Sequence, residues 1–468
     1  MKIVHILAGS FLLICLSAQA ENAWQTIPVD QNLLEGLYGE TIKRQDGRVS
    51  ATAESLREIV PGCSGAPFYD DNDAVQSETD YSFYYRPGDP EKLLIYFEGG
   101  GACWNAATCL SNLGDTPLFT PNVATDIAII NEHSSSPSGG IISEQQQNPL
   151  MGYTKILIPS CTGDVHWGSR DIEYSDPRSE GDTFSVYHRG ADNVTVVLSW
   201  LRSKMAENVL TPKEVVIAGS SAGGYGAVYH TPAIQDIVPS SSQVSLLLDS
   251  ANGVVSESFY QTAMGGRGVT GGVWGIEHNI SHPFDITIAT SPRLLLISSL
   301  SALTLHYPTL RIGQYTTAYD FTQSLFYNVT KYPDNEDLWL DPATLLASMM
   351  EWSARARSYM LLSTSGYNYR FYIGEGMGHI LLLDSPDQPT PFTSPNFYNE
   401  SSAESIPAFN WVNDMVNQRY TLNFLSRGSD WLNISCFPSC IISSSRSEAT
   451  EEQLRAQVME KLRAQVMN

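Results

Sequence analysis

Val215-Val216-Ile217-Ala218-Gly219-Ser220-Ser221-Ala222-Gly223-Gly224-Tyr225-Gly226 is the stretch on which the reading of this chain turns. An apolar, β-branched run passes through a tight glycine-flanked corner into the helix-compatible Ala227-Val228-Tyr229-His230. That is the setting of a G-x-S-x-G nucleophile elbow, with Ser221 at its centre. A serine on a sharp strand-to-helix turn projects its hydroxyl above the sheet, and small neighbours leave room for the strained backbone. The helix start then aims free N–H groups and its positive dipole end at developing negative charge. A plain Gly/Ser loop is the competing reading; a strand before the motif and a helix after it favour the elbow.

Composition narrows the function classes. The 468 residues hold 27 Lys+Arg against 50 Asp+Glu, a formal net charge of −23. Nucleic-acid binding needs a basic footprint, so no nucleic-acid partner is expected. The N-terminus reads as an export signal over residues 1–20: Lys2, a mostly apolar Ile6 to Leu16, then Ala18-Gln19-Ala20 as the cleavage pattern. That apolar run is too short to span a membrane and no second long one follows, so no transmembrane segment is expected. The expectation is a secreted protein, extracellular or periplasmic.

Cleavage would remove Cys15 and leave Cys63, Cys103, Cys109, Cys161, Cys436 and Cys440. An even number in an exported chain points to disulfides. Short-range pairing favours Cys103–Cys109 and Cys436–Cys440, leaving Cys63–Cys161, although six cysteines allow about 15 connectivities. Zinc is the rival use. No C-x-x-C pair is present and the histidines do not cluster at ligand spacing, so no metal is expected.

Around the elbow, short apolar runs recur with helical or irregular stretches between them. Tyr81–Tyr85, Leu93–Phe97, Lys155–Ile158, Val215–Ile217, Leu246–Leu248, Arg311–Tyr315 and Tyr369–Ile373 read as strands, and Val194, Leu198, Leu201 and Met205 fall at helical spacing. This order implies an α/β fold with a mostly parallel central sheet flanked by helices. Residues 112–150 read as a surface excursion, and 253–305 as a lid-like insertion. Residues 21–445 are expected to form a single domain, followed by a helical tail over 446–468 that repeats Leu-Arg-Ala-Gln-Val-Met.

A serine hydroxyl needs a base to take its proton. His379 follows the last strand in the Gly-rich Gly374-Glu375-Gly376-Met377-Gly378 loop, and it satisfies the order Ser…Asp/Glu…His of an α/β-hydrolase. His166 also ends a strand but precedes the serine. For the acid that holds the imidazole, Asp320 beyond the penultimate strand is favoured, with Asp249 at the end of the strand after the elbow as the alternative. The charged tetrahedral intermediate needs preorganised N–H donors. Ala222 follows the nucleophile, and Gly99-Gly100-Gly101 follows Leu93–Phe97. The oxyanion hole is therefore assigned to Gly100, Gly101 and Ala222.

Taken together, Phe97-Glu98-Gly99-Gly100-Gly101-Ala102-Cys103-Trp104 with Cys109, Cys161-Thr162-Gly163-Asp164-Val165-His166-Trp167-Gly168, His188-Arg189-Gly190 with Asn193, Gly219–Gly224 and Gly378-His379 resemble the pectin acetylesterase / Notum family of carboxylesterases. The resemblance implies an α/β-hydrolase fold without a cofactor, the triad Ser221, Asp320 and His379, and oxyanion donors at the Gly100-Gly101 turn and Ala222. Notum-type enzymes carry Trp where Gly101 stands here, and this chain has no strongly basic surface segment. These departures favour a small acyl group. The expected substrate is thus an acylated polysaccharide such as pectin, losing O-acetyl groups to a monomeric enzyme. The alternatives are a Notum-like protein O-deacylase or lipase for longer chains, and a non-catalytic hydrolase-like binding protein.

Overall fold

The short apolar runs pair into one nine-stranded sheet in a computed structural model of the chain. It describes residues 23–38, 43–45, 48–50, 58–70, 73–77, 79–110, 112–113, 116–123, 127–266, 271–280, 283–284, 295–383, 397–400, 406–417, 431–437 and 440. The export signal over 1–20 and the helical tail over 446–468 lie outside these residues.

The sheet strands are β1 (Gln25–Pro28), β2 (Ser82–Arg86), β3 (Asp89–Phe97), β4 (Tyr153–Ile158), β5 (Glu214–Ser220), β6 (Gln243–Asp249), β7 (Arg311–Thr317), β8 (Tyr369–Gly374) and β9 (Ile434–Ser435). Their order is β1-β2-β4-β3-β5-β6-β7-β8-β9. β1 and β4 both run antiparallel to β2, and every other neighbouring pair is parallel. Every residue of β4 and of β7 is buried, and β5 and β6 are buried beyond their first residues, as expected of strands covered on both faces. The helices that matter for the site are α1 (Gly190–Ala206), α2 (Ala222–Ile237), α3 (Glu257–Met264), α4 (Leu295–His306), α5 (Phe321–Lys331) and α6 (Pro342–Ser363). The expected α/β-hydrolase-like class, mostly parallel and helix-flanked, is borne out.

Parallel strands send their C-terminal ends to one edge of a sheet, where the crevice of an open α/β fold lies. The turn after Phe97, the elbow after Ser220, Ser250 after β6, Asp320 after β7 and His379 after β8 all leave from that edge. Three disulfides brace it. Cys63–Cys161 ties the segment before β2 to the loop after β4, Cys103–Cys109 closes the turn after β3, and Cys436–Cys440 follows β9. Cys440 accepts from Gly376 N through its carbonyl, so the last bridge lies against the loop that carries His379.

One expectation is corrected. Part of the 112–150 segment is built into the core rather than lying on the surface. Ile130, Ile141, Ile142 and Leu150 are buried, and Ile141 N donates to Leu382 O at 2.8 Å. The fully buried Lys155 of β4 donates to Ile142 O at 3.1 Å and pairs with Glu144.

Candidate active site

Ser221 stands between the last residue of β5 and the first of α2, with φ 54° and ψ −125°. A non-glycine residue avoids that region unless the surroundings impose it. Here they do. Ser221 N donates to Asp249 O at 2.8 Å, and Gly224 N donates to Ser221 O at 3.0 Å. A Cβ on Gly223 would stand 2.0 Å from Phe97 O, so only glycine lets α2 start against β3.

Asp320 and His379 meet beside this corner. His379 Nδ1 lies 2.9 Å from both carboxylate oxygens of Asp320. A carboxylate can only accept, so Nδ1 carries the proton and Nε2 keeps its lone pair. Nε2 is buried without a hydrogen-bond partner. Asp320 is itself pinned as the N-cap of α5, accepting from Gln323 N at 2.9 Å and from Gln323 Nε2 at 2.9 Å. Burial disfavours the His379 imidazolium, but the charge and hydrogen bonds of Asp320, with a smaller contribution from Asp249, hold its pKa above the ordinary histidine value.

Asp249 has different partners. Its Oδ2 accepts from Ser220 Oγ at 2.6 Å and from the Leu381 and Leu382 N–H groups at 2.9 Å each. Burial raises its carboxyl above the usual aspartate range, and these donors only partly offset the shift. Of the two acids left open by the sequence, Asp320 is the one hydrogen-bonded to the imidazole.

The turn after β3 approaches the elbow from the other side. Gly101 has φ 68°, and a Cβ there would stand 2.0 Å from Leu118 O. Gly100 O accepts from Thr120 N at 2.8 Å. Gly101 and Ala222 line the same cavity as Ser221 and His379, and Ala222 opens α2, where helix N–H groups have no intrahelical acceptor.

His166 is not part of this group. Its Nε2–H donates to Glu98 O at 2.9 Å, and burial keeps its pKa below the ordinary value. The buried Asp164 carboxylate fixes this strap, accepting from Thr162 Oγ1 at 2.7 Å, His166 N at 3.1 Å and Gly190 N at 2.8 Å. The Cys161–Gly168 motif therefore buttresses the turn after β3. Among the described residues, one cluster has metal-ligand spacing, Cys103, Cys109 and His188, and its two sulfurs are bonded to each other.

Ser221, Ala222, Gly101 and His379 line one cavity that is open to solvent. Its walls are mostly apolar: Trp104, Val165 and Trp167 from the loops after β3 and β4, Val254, Phe259, Met264, Leu295 and Leu296 from the lid-like insertion, and Phe326 and Trp352 from α5 and α6. Among its polar members, Ser250 donates its hydroxyl to the His379 carbonyl, Gln323 donates to Asp320, and the Tyr225 phenol oxygen accepts from Gly253 N at 3.0 Å. Sequence reasoning did not single out Gln323, which lies on a helix with no motif around it.

The Pectinacetylesterase family profile matches residues 76–256. The resemblance read from the motifs is borne out. Relatives include pectin acetylesterase 11 of Arabidopsis thaliana, 25% identical over 158 residues, 34% of this chain and 36% of the relative. The palmitoleoyl-protein carboxylesterase NOTUM of Schmidtea mediterranea is 29% identical over 152 residues, 31% of this chain and 25% of the relative. The palmitoleoyl-protein carboxylesterase notum2 of Xenopus laevis is 25% identical over 179 residues, 37% and 33%. The matches thus span about a third or less of the length of these relatives, all named as ester-cleaving enzymes. The profile covers the turn after β3 and the elbow; Asp320 and His379 lie beyond it. Among the described residues, no helix is long and apolar enough to cross a membrane.

Proposed function

We propose that this chain is an exported serine carboxylesterase, with residues 21–445 as one catalytic domain. The observation that carries the reading is the alignment of groups on one cavity wall. Ser221 on a strained corner and His379 share that wall, and the imidazole proton faces Asp320 at 2.9 Å. Ser221 Oγ attacks the ester carbonyl carbon while its proton passes to His379 Nε2. The oxyanion is met by the N–H groups of Gly100, Gly101 and Ala222. Collapse breaks the C–O bond, and the leaving alkoxide takes the proton from His379. Water, deprotonated by the same imidazole, then releases the acid and restores the Ser221 hydroxyl. Asp320 holds the productive tautomer throughout. Three disulfides support export to an oxidising compartment.

The lining of the cavity bears on the acyl group. The apolar lining, with Trp104 and Trp167 among the loop residues and Phe326 and Trp352 on the helices, favours a longer, hydrophobic acyl chain. O-acetyl esters of a polysaccharide remain the second reading, favoured by the Pectinacetylesterase profile over residues 76–256. A ladder of p-nitrophenyl esters from acetate to palmitate separates them. Each buried methylene is worth about 0.8 kcal/mol, so kcat/KM is expected to climb by up to about fourfold per methylene from acetate through butyrate to octanoate. A maximum at acetate would return the assignment to acetyl esters. No turnover of any ester would leave a hydrolase-like binding protein.

A further inference from the structure

We propose that Asp249 is a positioning residue that fastens the loop bearing His379 to the elbow bearing Ser221. The proposal rests on the esterase reading above. Asp249 ends β6, the strand beside β5, and lies fully buried between the two reacting groups. Toward the nucleophile, its carbonyl accepts the Ser221 N–H at 2.8 Å and its Oδ2 accepts Ser220 Oγ at 2.6 Å. Ser220 Oγ in turn accepts from Tyr96 OH on β3 at 2.8 Å. Toward the base, the same Oδ2 accepts Leu381 N and Leu382 N, two and three residues past His379, at 2.9 Å each. The next residue, Ser250, donates its hydroxyl to the His379 carbonyl, and its own backbone sits at φ 53°. One buried carboxylate and its neighbour thus hold both halves of the reacting pair.

A buried charge is costly to keep, and neutral acceptors could satisfy these donors. What the charge adds is an attraction for the His379 imidazolium, which forms when the base takes the serine proton. The titratable groups facing Asp249 are Tyr96 from β3, Tyr315 from β7 and His379. The two phenols stay neutral, their pKa values raised by burial, so His379 is the group whose charge Asp249 influences.

Asp249→Asn separates geometry from charge. Its amide oxygen can replace Oδ2 beneath the Ser220, Leu381 and Leu382 donors, while its NH2 faces Ser250 Oγ, which stands 3.2 Å from Oδ1. Asp249→Ala removes both. The experiment follows covalent labelling by an alkyl fluorophosphonate, which reacts with an activated serine, across pH. Wild type should label and Ser221→Ala should not; if wild type is inert, the esterase reading fails and this proposal falls with it. With wild type reactive, Asp249→Asn should label about tenfold more slowly, and its acid limb should move to lower pH as the imidazolium loses its second anion. Asp249→Ala should slow about a hundredfold or more, the scale of a misplaced base. A merely structural aspartate would lower the thermal midpoint of Asp249→Asn yet leave its labelling rate and acid limb at wild-type values. That result overturns the proposal, and it can be read on Asp249→Asn even if Asp249→Ala fails to fold.

Discussion

Replacing Asp320 with Asn is the perturbation whose consequences follow most closely from the geometry. The carboxylate accepts from Gln323 N on Oδ1, from Gln323 Nε2 on Oδ2, and from His379 Nδ1 on both, all at 2.9 Å. An amide has one acceptor oxygen, so its NH2 must face one of these donors. If it faces His379, the imidazole adopts the other tautomer, with its proton on Nε2, and the base is lost. The expected fall in kcat is then about 10³- to 10⁴-fold, or about 4 to 5.5 kcal/mol of barrier. Each carboxylate oxygen also serves one Gln323 donor, so the NH2 opposes Gln323 N or Nε2 as well, at a cost of about 1–3 kcal/mol in stability. KM should change little, because Asp320 does not line the cavity. Burial pulls the His379 pKa down and Asp320 is the leading influence holding it up. The acid limb of residual activity should therefore move to lower pH. Steady-state kinetics on p-nitrophenyl butyrate from acid to neutral pH, with a thermal melt alongside, reads all of this. A loss smaller than about tenfold, or an acid limb moving upward, would refute the assignment of Asp320 as the acid.

Two further outcomes are expected. Gly101→Ala puts a Cβ 2.0 Å from Leu118 O at φ 68°, so the turn must shift, and kcat should fall about 10²- to 10³-fold as for loss of one oxyanion donor; wild-type kcat would remove Gly101 from the oxyanion hole. Burial lowers the Lys155 pKa from 10.5 to about 8, only partly opposed by its pairing with Glu144. The unfolded chain therefore binds the extra proton between these values, and stability gains about 3 kcal/mol as pH rises through that window, at about 1.4 kcal/mol per unit. Denaturant melts of wild type and Lys155→Met at neutral pH and above pH 10 should differ in their pH response by that amount, with wild type gaining; a parallel response would refute the shift.

Much of the site was legible because chemistry and backbone geometry coincide in short stretches. Glycines flanking Ser221 and a β-branched run before it state a corner, and the Gly-rich turns at Gly99–Gly101 and Gly374–His379 follow apolar runs of strand length. The acid was harder. Asp249 and Asp320 both follow strands, and only the packing of β6, β7 and the loop after β8 turns His379 Nδ1 toward one of them. The buried part of 127–150 was illegible for another reason: Ile130, Ile141, Ile142 and Leu150 are spaced among Ser, Asn and Gln with no period of 2 or 3.6. The cavity was invisible too. Its walls come from the lid-like insertion, the helices α2, α5 and α6, and the loops after β3, β4, β6 and β8, so its shape depends on tertiary packing that no single stretch encodes.

The central claim is that Ser221 carries the acyl group. A rapid acid quench of wild type during turnover of a p-nitrophenyl ester, followed by peptide mass mapping, tests it directly. The account expects the acyl mass on the peptide containing Ser221, and neither label nor turnover in Ser221→Ala. An acyl group on another residue, or full turnover by Ser221→Ala, would contradict it.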